Sequence, residues 1–213
     1  MKNIYCISGL GADEGAFSRL KIEGYQLVYL PWLLPQKKES IRDYAQRMSE
    51  GIKEDNPIIM GLSFGGMMAI EIAKLLPVAK IILISSIRTA EELPRWMKRI
   101  ALLNLNKIFP MRSRKIFEPV QNRFLGISNN SEEIMMVRNY RKNAPIIYTT
   151  WAINEVVNWR NDFLHPSIFH IHGDNDKMFP IKNLSPSYIV NGGGHFMIMN
   201  KAEEVSAYVN SIL

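Results

Sequence analysis

The chemistry in this chain is signalled by a serine set among glycines and a histidine that follows three of them. Gly61-Leu62-Ser63-Phe64-Gly65-Gly66 fits the pattern G-x-S-x-G. In that pattern a strand turns sharply into a helix and lifts the serine hydroxyl clear of the backbone. A serine at neutral pH is a poor nucleophile and needs a base, usually a histidine held by a carboxylate. The chain has four histidines. His195 lies in Gly192-Gly193-Gly194-His195-Phe196, after the last strand pattern and before the last helix pattern. It alone combines a loop, a glycine run and a strand end. His172 opens His172-Gly173-Asp174-Asn175-Asp176, His170 falls within a strand pattern and reads as packed, and His165 precedes Pro166 as a loop residue. The carboxylate should follow a strand and precede the histidine, which leaves Asp174 and Asp176.

These residues need a frame. Six short apolar runs read as buried strands: 3–7, 25–30, 57–62, 80–85, 167–172 and 187–190. Continuous runs such as Ile81-Ile82-Leu83-Ile84 suit a parallel sheet covered on both faces. Helical patterns over 40–53, 65–76 and 201–213 alternate with them. In the first, Ile41, Tyr44, Ala45, Met48 and Ile52 form one stripe. The alternation predicts an α/β fold, doubly wound around a mostly parallel sheet of about six strands. Strand–Ser63–helix is the context the serine motif requires.

With these motifs in order, the chain resembles the α/β-hydrolase superfamily, in its serine-nucleophile, esterase-like branch. The resemblance covers nearly the whole chain. The family's acid typically stands in H-G-x-x-D with a proline a few residues on. That selects Asp176, followed by Pro180, and leaves Asp174 to shape the loop. The order Ser63, Asp176, His195 is the family's order. The resemblance also implies an oxyanion hole made by the backbone N–H groups of Phe64 and Leu10. The family often has His-Gly where this chain has Ser8-Gly9, so the second donor is open between Leu10 and a neighbour. Two strands commonly precede this loop in the family. Here it arrives at residue 8, which implies a core lacking the opening hairpin.

The implied reaction is hydrolysis of a carboxylic ester or thioester through an acyl-enzyme. Relatives of similar design leave C–C hydrolysis, perhydrolysis, a lyase reaction or a non-catalytic ligand-binding role as alternatives. A serine at 63 argues against the aspartate-nucleophile dehalogenases. No cofactor is expected. Gly9-Leu10-Gly11 lacks the third glycine of a dinucleotide loop, since position 14 is Glu14, and there is no phosphate loop or zinc-binding pattern.

Residues 88–161 break the rhythm of the sheet. They read as helices punctuated by Pro110, Pro119 and Pro145, inserted as a lid into a core of 1–87 and 162–213. Trp96, Met97, Phe124, Trp151 and Trp159 are candidates for an apolar pocket wall. Net charge is +6, from 26 Lys and Arg against 20 Asp and Glu. Residues 88–142 hold 12 basic and 5 acidic side chains, and the rest 14 and 15. The surplus thus sits on the lid. There Arg95-Trp96-Met97-Lys98-Arg99-Ile100 and Arg112-Ser113-Arg114-Lys115 suggest an anionic substrate or a membrane surface, with no nucleic-acid motif. A single cysteine, Cys6, excludes a disulfide scaffold. No secretory segment or membrane span is visible, so a cytoplasmic protein is expected.

Overall fold

The computed structural model describes residues 2–103, 118–127 and 131–213. Six strands form one sheet: β1 (Lys2–Ile7), β2 (Tyr25–Tyr29), β3 (Ile58–Leu62), β4 (Lys80–Ile84), β5 (Ile168–Gly173) and β6 (Tyr188–Val190). Their order is β2-β1-β3-β4-β5-β6, and every neighbouring pair is parallel. Each strand lies within a residue or so of its apolar run.

Period-two alternation divides the core. Ile7, Ile59, Ile81 and Leu83 enter one cluster, with residues of α1 (Ile41–Ser49) and α2 (Phe64–Ala73). Cys6, Met60, Ile82 and Ile84 enter the other, with α7 (Met197–Asn200) and α8 (Ala202–Ile212). Both faces of the sheet are therefore covered, as continuous apolar strands require. In α1, Ser40 accepts the Asp43 N–H at 3.2 Å and caps the helix, whose face of Tyr44, Ala45 and Met48 is buried. It ends at Ser49, short of the expected Lys53, because Gly51 follows and disfavours another turn. Ile52 still packs against the core.

Between β4 and β5 the described chain is helical: α3 (Arg95–Leu102), α4 (Glu118–Leu125), α5 (Ser131–Asn143) and α6 (Ile146–Asn158). The chain leaves β1 toward β2 on one side and leaves β3 toward β4 on the other. The reversal opens a crevice between the C-terminal ends of β1 and β3, the usual ligand position in open parallel sheets.

Candidate active site

Ser63 stands at that crevice, between the end of β3 and the start of α2. Its backbone has φ 52° and ψ −117°, a conformation non-glycine residues rarely adopt. Several contacts hold it there. The Ser63 N–H donates to Ile84 O at 2.9 Å, and Ser63 O accepts from Gly66 N–H at 2.9 Å and from the Ser86 hydroxyl at 2.7 Å. Close packing explains two of the glycines. A Cβ on Gly61 would collide with the backbone of Gly65, and one on Gly65 with Ile7 O.

His195 Nε2 lies 2.8 Å from Ser63 Oγ, and its Nδ1 lies 2.8 Å from Asp176 Oδ2. Asp176 follows β5 and His195 follows β6, so neighbouring strand ends bring the two side chains together. Asp176 and His195 are 3% and 5% exposed, so little water competes for these contacts. Asp176 Oδ1 accepts the N–H groups of Met178 (2.7 Å) and Phe179 (2.9 Å). Burial acts to raise the Asp176 pKa, but His195, His172 and the Phe179 N–H outweigh it and hold the carboxyl below its ordinary value. Asp174 turns elsewhere and accepts the Gly192 N–H at 2.7 Å.

Two further histidines lie beneath Asp176. His172 Nε2 is 2.8 Å from Phe179 O and 3.3 Å from Asp176 Oδ2. A carbonyl only accepts, so His172 carries its proton on Nε2. Its Nδ1 then accepts from His170 Nε2 at 3.2 Å. Burial lowers the pKa of both rings, and that of His170 is pushed down to about 3. Among the described residues no group of three His, Cys, Asp or Glu side chains is placed to hold a metal ion.

Gly9 and Leu10 line the crevice beside Ser63 and Phe64. Phe64 is the first residue of α2, so its N–H has no partner within the helix. Trp32 braces the Gly9 loop: its indole N–H donates to Ser8 Oγ (3.0 Å) and Gly9 O (3.2 Å). Its ring stacks on Phe64 with centroids 5.1 Å apart. No spacing in the sequence ties Trp32 or Ser86 to the serine.

A cavity of about 630 Å³ opens on Ser63 and His195. Trp96, Met97 and Ile100 of α3, Val137 of α5 and Val156 of α6 form part of its wall. Two polar members of the wall are turned to protein partners. Thr149 Oγ1 donates to Pro145 O at 2.6 Å, and Arg141 Nη2 to Asn122 Oδ1 at 2.8 Å.

Of the five aromatic and methionine candidates, Trp96 and Met97 line this cavity. Phe124, Trp151 and Trp159 are not among its lining residues. Phe124 packs on Trp96, with centroids 5.6 Å apart. Trp151 stacks on Tyr44 and donates to Glu39 O at 2.9 Å. Trp159 is buried and donates to Glu71 Oε1 at 2.8 Å. Trp151 and Trp159 each have a partner on the core side, which the indole N–H dictates. Arg95, Lys98 and Arg99 are exposed on α3, whereas Arg112–Lys115 lie outside the described residues. No helix among the described residues is long and apolar enough to cross a membrane.

No family model and no curated protein matches the chain. Solved structures do. A thermophilic esterase from Thermogutta terrifontis superposes with a TM-score of 0.73 at 16% identity, covering 99% of this chain and 89% of that one. A bromoperoxidase from Bacillus anthracis gives 0.71 at 15%, covering 99% and 91%. A protein from Burkholderia ambifaria gives 0.70 at 11%, covering 99% and 90%. At these identities the likeness is one of fold, and it extends over the whole chain.

Proposed function

The chain has the α/β-hydrolase fold, and on it we propose a serine hydrolase that cleaves a carboxylic ester or thioester with an apolar acyl group. The observation that carries this reading is the unbroken line Ser63 Oγ–His195–Asp176, with both contacts at 2.8 Å, at the floor of an apolar cavity.

Ser63 Oγ attacks the acyl carbon while its proton passes to His195 Nε2. The carbonyl π electrons move to oxygen, which the Phe64 and Leu10 amides receive. Collapse of the tetrahedral adduct breaks the bond to the alcohol or thiol, which leaves with the proton from His195. Water then gives a proton to the same nitrogen and attacks the acyl-enzyme; the second adduct breaks its bond to Ser63 Oγ, which takes that proton back, leaving the acid and free Ser63. Asp176 keeps the His195 proton on Nδ1 and stabilises the imidazolium. In this reading residues 88–161 act as a lid, and Trp96 and Met97 border the acyl site.

An activity panel of p-nitrophenyl esters and acyl thioesters tests the proposal, with Ser63→Ala as control. Wild type should hydrolyse members of the panel, and the variant should lose more than about 10⁴-fold in kcat. A fluorophosphonate should label wild type alone. Equal hydrolysis by both proteins would overturn the reading.

A further inference from the structure

Trp32 does not line the cavity, yet it touches the backbone of Gly9, which precedes Leu10, and the side chain of Phe64, beside the two amides proposed to receive the oxyanion. Its N–H donates to Gly9 O at 3.2 Å, and its ring lies 10° from parallel with that of Phe64. Gly9 O takes a second N–H, from Ala12 at 3.0 Å. Ser8 Oγ accepts the indole N–H too and donates to Ala12 O at 2.7 Å, which closes the loop on itself.

Gly9 C=O and Leu10 N–H belong to one planar trans peptide, so they point in opposite directions and cannot turn separately. Fixing the Gly9 oxygen against the indole therefore fixes the Leu10 N–H on the other side. Gly9, Leu10 and Ser63 line the same cavity, and a Cβ on Gly9 would lie 3.6 Å from the Ser63 Cβ, so this peptide borders the serine.

We propose that Trp32 is a positioning residue for the oxyanion hole. It aims the Leu10 amide through the Gly9 carbonyl and sets it in register with the Phe64 amide. This inference rests on the ester-hydrolase reading and extends it to how the two donors are held. Oxyanion donors act only near 2.7–3.1 Å from the developing charge, and a misplacement of about 1 Å costs on the order of 10²-fold.

The test removes the indole N–H and keeps the ring. Benzothienylalanine incorporated at position 32 alone retains the stacking on Phe64 but donates nothing. With p-nitrophenyl butyrate, kcat should fall about 10- to 100-fold with KM within about twofold, because the loss belongs to the transition state. Site-specific 5-fluorotryptophan, which keeps the N–H, should restore wild-type kcat. Trp32→Phe should show the same fall in kcat together with a lower thermal midpoint. If the benzothienyl protein keeps kcat within about threefold, Trp32 is a packing residue and the inference fails while the hydrolase reading stands. If wild type itself shows no Ser63-dependent hydrolysis, the reading fails and takes the inference with it.

Discussion

His170 and His172 stand on the same face of β5, with 1% and 0% of their surface exposed. In the unfolded chain a histidine titrates near 6.5. In the folded protein burial, the neighbouring His172 and the Arg88 charge push His170 down to about 3. Between those values the unfolded chain binds a proton that the folded chain refuses. Stability is therefore complete above pH 6.5 and is lost progressively as the pH falls toward 3. At pH 4.5 the loss spans two pH units at about 1.4 kcal/mol each, or about 3 kcal/mol. For a chain of this size that lowers the thermal midpoint by roughly 6–12 °C. His172 and Asp176 are also shifted downward and act in the same direction. His170→Phe isolates the first contribution. It leaves His172 Nδ1 without its donor, which costs about 1–3 kcal/mol at every pH, but it removes the titration. Thermal melts of both proteins from pH 7.5 to 4.5 should show wild type falling more steeply, by the amount given above. Parallel profiles would refute the reasoning, because they would mean that His170 takes up its proton within the fold.

Two other outcomes follow from the cavity and its neighbours. Each methylene added to the acyl chain of a p-nitrophenyl ester should gain about 0.8 kcal/mol, or about fourfold in kcat/KM, until the cavity is filled; a flat series from acetate upward would contradict an acyl site there. Trp159→Phe should cost about 3 kcal/mol, combining a lost hydrogen bond to the buried Glu71 carboxylate with lost packing. Its midpoint should drop by roughly 6–12 °C while KM stays within about twofold, whereas a raised KM with an unchanged midpoint would return Trp159 to the pocket wall.

Order along the chain proved more legible than lateral placement. The strand runs are bounded by glycine, proline and polar residues, and their apolar continuity reports two covered faces, so all six stand out. Ser63, Asp176 and His195 are equally visible because each follows a strand, and parallel strands gather their C-terminal ends on one edge. Trp32 and Ser86 depend instead on which strands are neighbours. Nothing between Pro31 and Leu33 announces an indole aimed at residue 9. Trp151 and Trp159 show the same limit from the other side. Apolar bulk identifies a buried ring, but only Glu39 O and Glu71, far away in sequence, decide which surface buries it.

The parallel sheet also sets a timetable for the serine at its switch point. Ser63 and His195 are 132 residues apart, and Asp176 and His195 follow the last two strands on one side of the sheet. At 5–20 residues per second, a ribosome needs roughly 7–26 s to travel from one to the other. Throughout that interval the hydroxyl lacks the histidine that the proposed reading makes its base. On the proposed reading the strained serine is armed only once β6 has docked, so fluorophosphonate labelling during synthesis should begin no earlier than that step.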